Sequence, residues 1–257
     1  MTNYAILCYD TFNIGDEIQS LAMKRLLPRV DYYIQRDNYN IVYDKNYIKV
    51  NPSGLSAHSV KLFVNGWFDK SLSLPSYIDP KVIAMHMTKE FLNNVALSYW
   101  KTLSIGCRDK HTYDTLQKKG ISSVLIGCPT VTFPRYNGIR DNNIYYVDVS
   151  DVNFNKYKEQ LDPQGKYTHT RITHIYRTKR TLQERFTQAQ ALLSKYEKAH
   201  YVVTSRLHCL LPCRGFSTPV IFTDGNNDPR FDGLVNEDHN LIANIVKERV
   251  SLLLGNN

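Results

Sequence analysis

The segment Tyr201-Val202-Val203-Thr204-Ser205-Arg206-Leu207-His208 puts an arginine and a histidine where an apolar run passes into a helix-patterned one. In open α/β sheets, ligands collect at the carboxyl ends of strands, where the first N–H groups of the next helix are free. Arg206 can offer a planar fork to a phosphate or carboxylate. His208 can stabilise an oxyanion or shuttle a proton near neutral pH. Ser205 is a good N-cap residue. A capped helix carrying two surface polar groups has the same spacing, so spacing alone leaves both possibilities open.

Three further segments repeat the theme. Leu103-Ser104-Ile105-Gly106-Cys107-Arg108-Asp109 is a strand end followed by an Arg-Asp pair that opens a helix. Asp109 favours a helix N-terminus, and a cap with a salt-bridge partner accounts for it fully and for Arg108 less well. In Asn13-Ile14-Gly15-Asp16, Gly15 permits a tight turn and Asp16 caps a helix or faces a ligand. In Asn65-Gly66-Trp67-Phe68, Trp67 is expected in an exposed loop, where its flat face suits a sugar, although large aromatics are more often core. His86 closes the run Ala84-Met85-His86 at a strand end, where a buried structural histidine is the plainer alternative. No Gly-Lys-Ser/Thr or GxGxxG pattern is present, so no dinucleotide cofactor is expected. Nor is there a Gly-x-Ser-x-Gly elbow or a His- or Asp-rich cluster, so neither a hydrolase triad nor a metal is expected.

Positioning these groups requires strands and helices in alternation. Strands are expected at residues 4–9, 60–65, 81–87, 103–106, 123–126, 143–149, 171–176, 201–204 and 219–222. Helices are expected over 18–26, 91–99, 110–119, 181–198, 207–215 and 239–254. That rhythm predicts an α/β fold with parallel sheets. Pro134-Arg135-Tyr136-Asn137-Gly138 reads as a linker, dividing the chain into residues 1–136 and 137–257.

Composition narrows the function classes. The 257 residues carry a formal charge of +8, which fits a handler of anions or simply a solvated basic surface. No long basic run, zinc spacing or aromatic RNA-binding motif supports nucleic acid. The first apolar stretch is too short for a signal core, and Arg206, His208 and Arg214 interrupt the later one, so no targeting segment or membrane span is expected. Five cysteines with no CxxC pair read as reduced thiols of a cytoplasmic protein, with Cys209 and Cys213 as small buried residues.

Taken in order, these segments resemble the polysaccharide pyruvyl transferase family. The resemblance rests on Asn13-Ile14-Gly15-Asp16, Asn65-Gly66-Trp67-Phe68, Ile105-Gly106-Cys107-Arg108-Asp109, Gly127-Cys128-Pro129-Thr130, Ser205-Arg206-Leu207-His208 and Asp228-Pro229-Arg230-Phe231-Asp232-Gly233-Leu234. It implies two Rossmann-like domains facing a cleft, GT-B-like, with the acceptor on the side of 1–136 and the donor on the side of 137–257. The last helix is expected near the junction. Family members use phosphoenolpyruvate to form a pyruvyl ketal on a sugar, without a cofactor. On that basis Arg108, Ser205, Arg206, Leu207, His208 and Arg230 are expected at the donor, and Asn13, Trp67 and His86 at the acceptor. His208 and Arg206 are candidate catalytic groups, with Asp16, Asp109 and His86 as candidate bases. The chain is short for the pattern, and its glycine-rich turn is reduced to Gly66-Trp67. The alternatives are a GT-B glycosyltransferase using a nucleotide-sugar, with Glu237 or Asp238 on its ribose, and a non-catalytic glycan-binding member of the fold.

Overall fold

Ala5, Ile6 and Leu7 have no exposed surface, as befits a strand covered on both faces, and they form the centre of β1 (Asn3–Cys8). In the computed structural model, residues 2–69, 74–94, 97–223 and 228–255 are described. β1 leads into α1 (Ile14–Leu26), β2 (Tyr32–Gln35), β3 (Val42–Asp44), β4 (Lys49–Val50), β5 (Val60–Phe68) and β6 (Ile78–Met87). After α2 (Lys89–Asn94) and α3 (Leu97–Trp100) come β7 (Ile105–Cys107), α4 (Lys110–Lys118) and β8 (Ser123–Leu125). Positions 95 and 96, inside the helix expected over 91–99, lie outside the described residues. The strands form one sheet in the order β4-β3-β2-β1-β5-β6-β7-β8, with every pairing parallel except β2–β3 and β3–β4 at one edge. Val60, Leu62, Met85 and Ile105 join β1 in its core.

A second sheet follows. Its elements are β9 (Asn143–Val147), α5 (Asp151–Leu161), β10 (Thr168–Ile172), α6 (Leu182–Lys198), β11 (Tyr201–Thr204), α7 (Leu207–Gly215) and β12 (Val220–Phe222). The order is β10-β9-β11-β12, all parallel. Helix α6 starts where a capping box requires: the Thr181 hydroxyl accepts from the Glu184 N–H at 3.3 Å, and the Thr181 N–H donates to the Glu184 carboxylate at 2.8 Å. The chain ends in α8 (His239–Leu254).

The chain folds as two compact units. One holds Met1–Asp10, Gln19–Pro129 and Asp228–Asn257, the other Thr11–Ile18 and Thr130–Asn227. Where the sequence suggests one boundary near residue 137, each unit is assembled from separated stretches. Packing explains why α8 belongs with the first sheet. Ile242 lies so close to Gly127 that a Cβ on the glycine would sit 2.3 Å from its Cγ2, and Arg249 donates to the Ser104 carbonyl at 2.7 Å. Each unit is a Rossmann-like α/β layer structure, as the two-domain α/β class the sequence predicts requires.

Periodicity in the sequence does not reveal the short strands β2 to β4 or helix α5, and it sets β10 three residues late. Residues 173–176 are instead a loop held by backbone bonds, with the Ile14 N–H donating to the His174 carbonyl and the Tyr176 N–H to the Phe12 carbonyl, both at 2.7 Å.

Candidate functional site

The second sheet reverses direction between β9 and β11, since β10 lies to one side of β9 and β11 to the other. In open α/β sheets the carboxyl ends of the strands flanking such a reversal form the ligand crevice. Here those ends supply Asp148 and Ser205-Arg206. The Arg206 Nε donates to the Asp148 Oδ2 at 2.8 Å across the reversal. Asp148 Oδ2 also accepts from the His174 N–H at 2.9 Å, and the Thr173 hydroxyl bonds the same carboxylate. Burial alone would raise the Asp148 pKa, but these bonds outweigh it and hold the carboxyl below its usual range.

Ser205 does not cap α7. Its hydroxyl donates to the Asp148 carbonyl at 2.6 Å, Arg206 occupies the N-cap position, and among the described residues no side chain caps the helix. The N-terminus of α7 therefore presents its dipole as an anion site requires, with the Arg206 N–H donating to the Thr204 hydroxyl at 2.9 Å and the Cys209 N–H to the Arg206 carbonyl at 3.1 Å. Leu207 is buried and serves the core, while the Arg206 side chain keeps 38% exposure. His208 lies at a local distortion of the first turn (φ −81°, ψ 16°).

The loop ahead of α1 meets His208 in the same unit. A Cβ on Gly15 would lie 3.1 Å from the His208 Nδ1 and 3.1 Å from the Asn13 Oδ1, so glycine is what permits the approach. Asn13 Oδ1 accepts from the Gly15 N–H at 3.1 Å, and the buried Asp16 accepts from the Thr11 hydroxyl at 2.6 Å. Behind the ion pair, His174 is buried with its Nε2 2.7 Å from the Tyr196 hydroxyl. Burial pushes its pKa down to about 4, Asp148 opposing and Arg206 reinforcing the shift. Neither Asp148 nor His174 stands out in the sequence, because their partners are distant along the chain.

In the first unit, the ends of β6 and β7 gather His86, Arg108 and Asp109. Asp109 caps α4, its Oδ1 accepting from the Thr112 N–H at 3.0 Å and the Thr112 hydroxyl at 2.9 Å. Its Oδ2 lies 2.7 Å from the His86 Nδ1 and 3.6 Å from the Arg108 Nε. All three side chains are buried. Burial lowers the His86 pKa, with Asp109 opposing. For Asp109, burial is outweighed by His86, Arg108 and Thr112, and its pKa falls.

One expectation changes. Trp67 is not in an exposed loop: β5 runs on through Phe68, Trp67 is half-buried, and Arg36 lies 5.8 Å from its ring centre while donating to its carbonyl at 2.9 Å. Arg230 lies in the first unit, as Arg108 does, and its Nε is 2.7 Å from the Asp228 carboxylate. Asp238 caps α8, accepting from the Asn240 N–H at 2.8 Å. All five cysteines are buried and free of disulfides. Among the described residues, no group of three or more His, Cys, Asp or Glu side chains is placed to hold a metal, and no helix is long and apolar enough to cross a membrane.

Comparison with known proteins bears on this geometry. Among solved structures, a functionally uncharacterised protein of Klebsiella pneumoniae shares the fold with a TM-score of 0.52, over 91% of this chain and 90% of that one, at 10% identity. No curated protein matches the chain. The family model described as polysaccharide pyruvyl transferase matches residues 13–227, a span that holds Asn13, the Arg108-Asp109 pair and Ser205 to His208. The chain belongs to the polysaccharide pyruvyl transferase family.

Proposed function

We propose that this protein transfers a pyruvyl group from phosphoenolpyruvate to a sugar of a glycan, forming a pyruvyl ketal. The observation that carries the reading is Arg206 at the uncapped N-terminus of α7, beside the strand reversal of the second sheet. Phosphoenolpyruvate carries a phosphate and a carboxylate, and an arginine fork with a helix N-terminus suits either group. Donor binding is assigned to Ser205, Arg206, Leu207 and His208 of the second unit. Arg108 and Arg230 are assigned to the donor as well, and sugar binding to Asn13, Trp67 and His86.

The chemistry needs proton transfer and no redox change. Two sugar oxygens bond to C2, the bond from C2 to the phosphate oxygen breaks, and the methylene carbon gains a proton to become methyl. Of the two hydroxyl protons released, one balances that methyl and the other leaves on phosphate. His208 is assigned as the acid or as the stabiliser of departing phosphate. Among the base candidates, the geometry favours His86. Its Nδ1 is engaged by Asp109, which orients the ring, and burial favours the neutral form that accepts a proton. Asp109 is committed to Thr112 and His86, and Asp16 to Thr11. The enol phosphate supplies its own leaving group, so no cofactor is assigned. A cytoplasmic location follows from the same reading, because phosphoenolpyruvate is a metabolite of that compartment.

Thermal shift with phosphoenolpyruvate against a panel of nucleotide-sugars tests the proposal. A donor that binds only the folded chain at 100 times its Kd adds about 2.7 kcal/mol. A shift with phosphoenolpyruvate alone is expected, and a shift confined to nucleotide-sugars would reassign the donor.

A further inference from the structure

We infer that Asp148 is the positioning residue of the anion site, fixing the Arg206 guanidinium by its Nε and leaving the Nη1/Nη2 edge for a two-pronged anion. The identity of that anion as donor rests on the proposed function; the positioning does not. Four observations support the inference. Asp148 stands at the carboxyl end of β9, across the strand reversal from Arg206, and bonds Nε at 2.8 Å. Among the described residues neither Nη atom of Arg206 has a hydrogen-bond partner, and the side chain is 38% exposed. The carboxylate is itself held by the His174 N–H and the Thr173 hydroxyl, so it is a fixed anchor. Finally, Asp148 has φ +51°, a left-handed conformation that is costly for most residues and tolerated by aspartate, and its carbonyl accepts from Ser205. Carboxylate and carbonyl together tie the Ser205-Arg206 turn to β9. A guanidinium bonded through Nε keeps its outer edge in one plane, so the entropy of orienting it is lost before the ligand arrives.

The sign of the effect separates positioning from plain charge. Asp148 is an anion beside an anion site, and by Coulomb's law alone its removal would tighten ligand binding. Positioning demands the opposite. Calorimetric titration of the full chain with inorganic phosphate and, separately, with phosphoenolpyruvate should show Asp148→Ala weakening both by about tenfold or more. Asp148→Asn retains an acceptor for Nε and should stay within about threefold of wild type. In an Arg206→Ala background Asp148→Ala should change nothing further, which a merely structural role would not reproduce. Steady-state assays should place the loss in the donor KM with kcat little changed. Unchanged or tighter binding by Asp148→Ala overturns the inference, as does an equal loss in the Arg206→Ala background. If Asp148→Ala does not fold, Asp148→Ser, too short to reach the Arg206 Nε, takes its place with the same expected and overturning results. A wild-type chain that binds phosphate but not phosphoenolpyruvate removes the donor assignment alone, and one that binds neither removes both.

Discussion

Two of the arginine–aspartate pairs at carboxyl strand ends, one from each unit, differ in nearly every physical respect. In the first unit Arg108 and Asp109 are chain neighbours, their side chains 2% and 0% exposed, with the carboxylate shared between His86 and the start of α4. In the second unit Asp148 and Arg206 come from strands 58 residues apart, the arginine partly open to solvent. A sealed pair resists loss of either member because a buried charge is left uncompensated. An open pair contributes little to stability and keeps its arginine available. The contrast separates a charge sealed among its partners from one presented to solvent.

The largest effect expected from this contrast is that of Asp109→Ala. It strands Arg108 and uncaps α4, and should cost about 3–5 kcal/mol in calorimetric unfolding. Asp148→Ala should cost about 1–2 kcal/mol, so equal losses would erase the distinction. Next, Arg206→Ala should remove about 2–5 kcal/mol of donor binding while leaving the melting temperature nearly unchanged, measured as phosphate release dependent on both substrates. Arg206→Lys should rescue it poorly, because a point charge lacks the planar fork.

Acid should weaken the second unit through His174. Burial takes its pKa from the ordinary histidine value of 6.5 to about 4 in the folded chain, and at about 1.4 kcal/mol per unit this amounts to roughly 3 kcal/mol. The folded state binds the proton more weakly. The stabilisation is therefore complete above pH 6.5 and is lost as pH falls towards 4. Denaturant titrations across that window should show the decline, and His174→Gln should flatten it. The smallest effect is that of Gly15→Ala. The new methyl presses on the His208 Nδ1 at 3.1 Å, so the donor Kd should rise a few-fold with the fold intact, as isothermal titration can measure.

Much of this was legible in the sequence for local reasons. The run Tyr201 to Thr204 is a strand because its residues suit a buried sheet, and α6 begins at Thr181 because Glu184 stands three residues on. The Arg108-Asp109 cap was equally readable, since the cap and the helix it starts are neighbours. Pairings over distance were not. Ser205 has the side chain of a cap, yet the Asp148 carbonyl competes for its hydroxyl and wins. Trp67 follows a glycine that reads as a turn, but Gly66 (φ +128°) sits within a strand, where a Cβ would be 2.9 Å from the Tyr9 hydroxyl. The short strands β2 to β4 have two to four residues each, too few for an alternation to show.

Helix α8 carries a consequence for how the protein is made. Its Ile242 fills the space over Gly127, and its Arg249 reaches the carbonyls of Val82 and Ser104. Synthesis runs from the amino end, so the first sheet emerges from the ribosome long before the helix that covers it. The second unit, whose core stretch 130–227 is continuous, can close while the first still waits. A chain truncated after residue 230 and released from the ribosome should therefore yield to protease in its early residues while 130–227 resist.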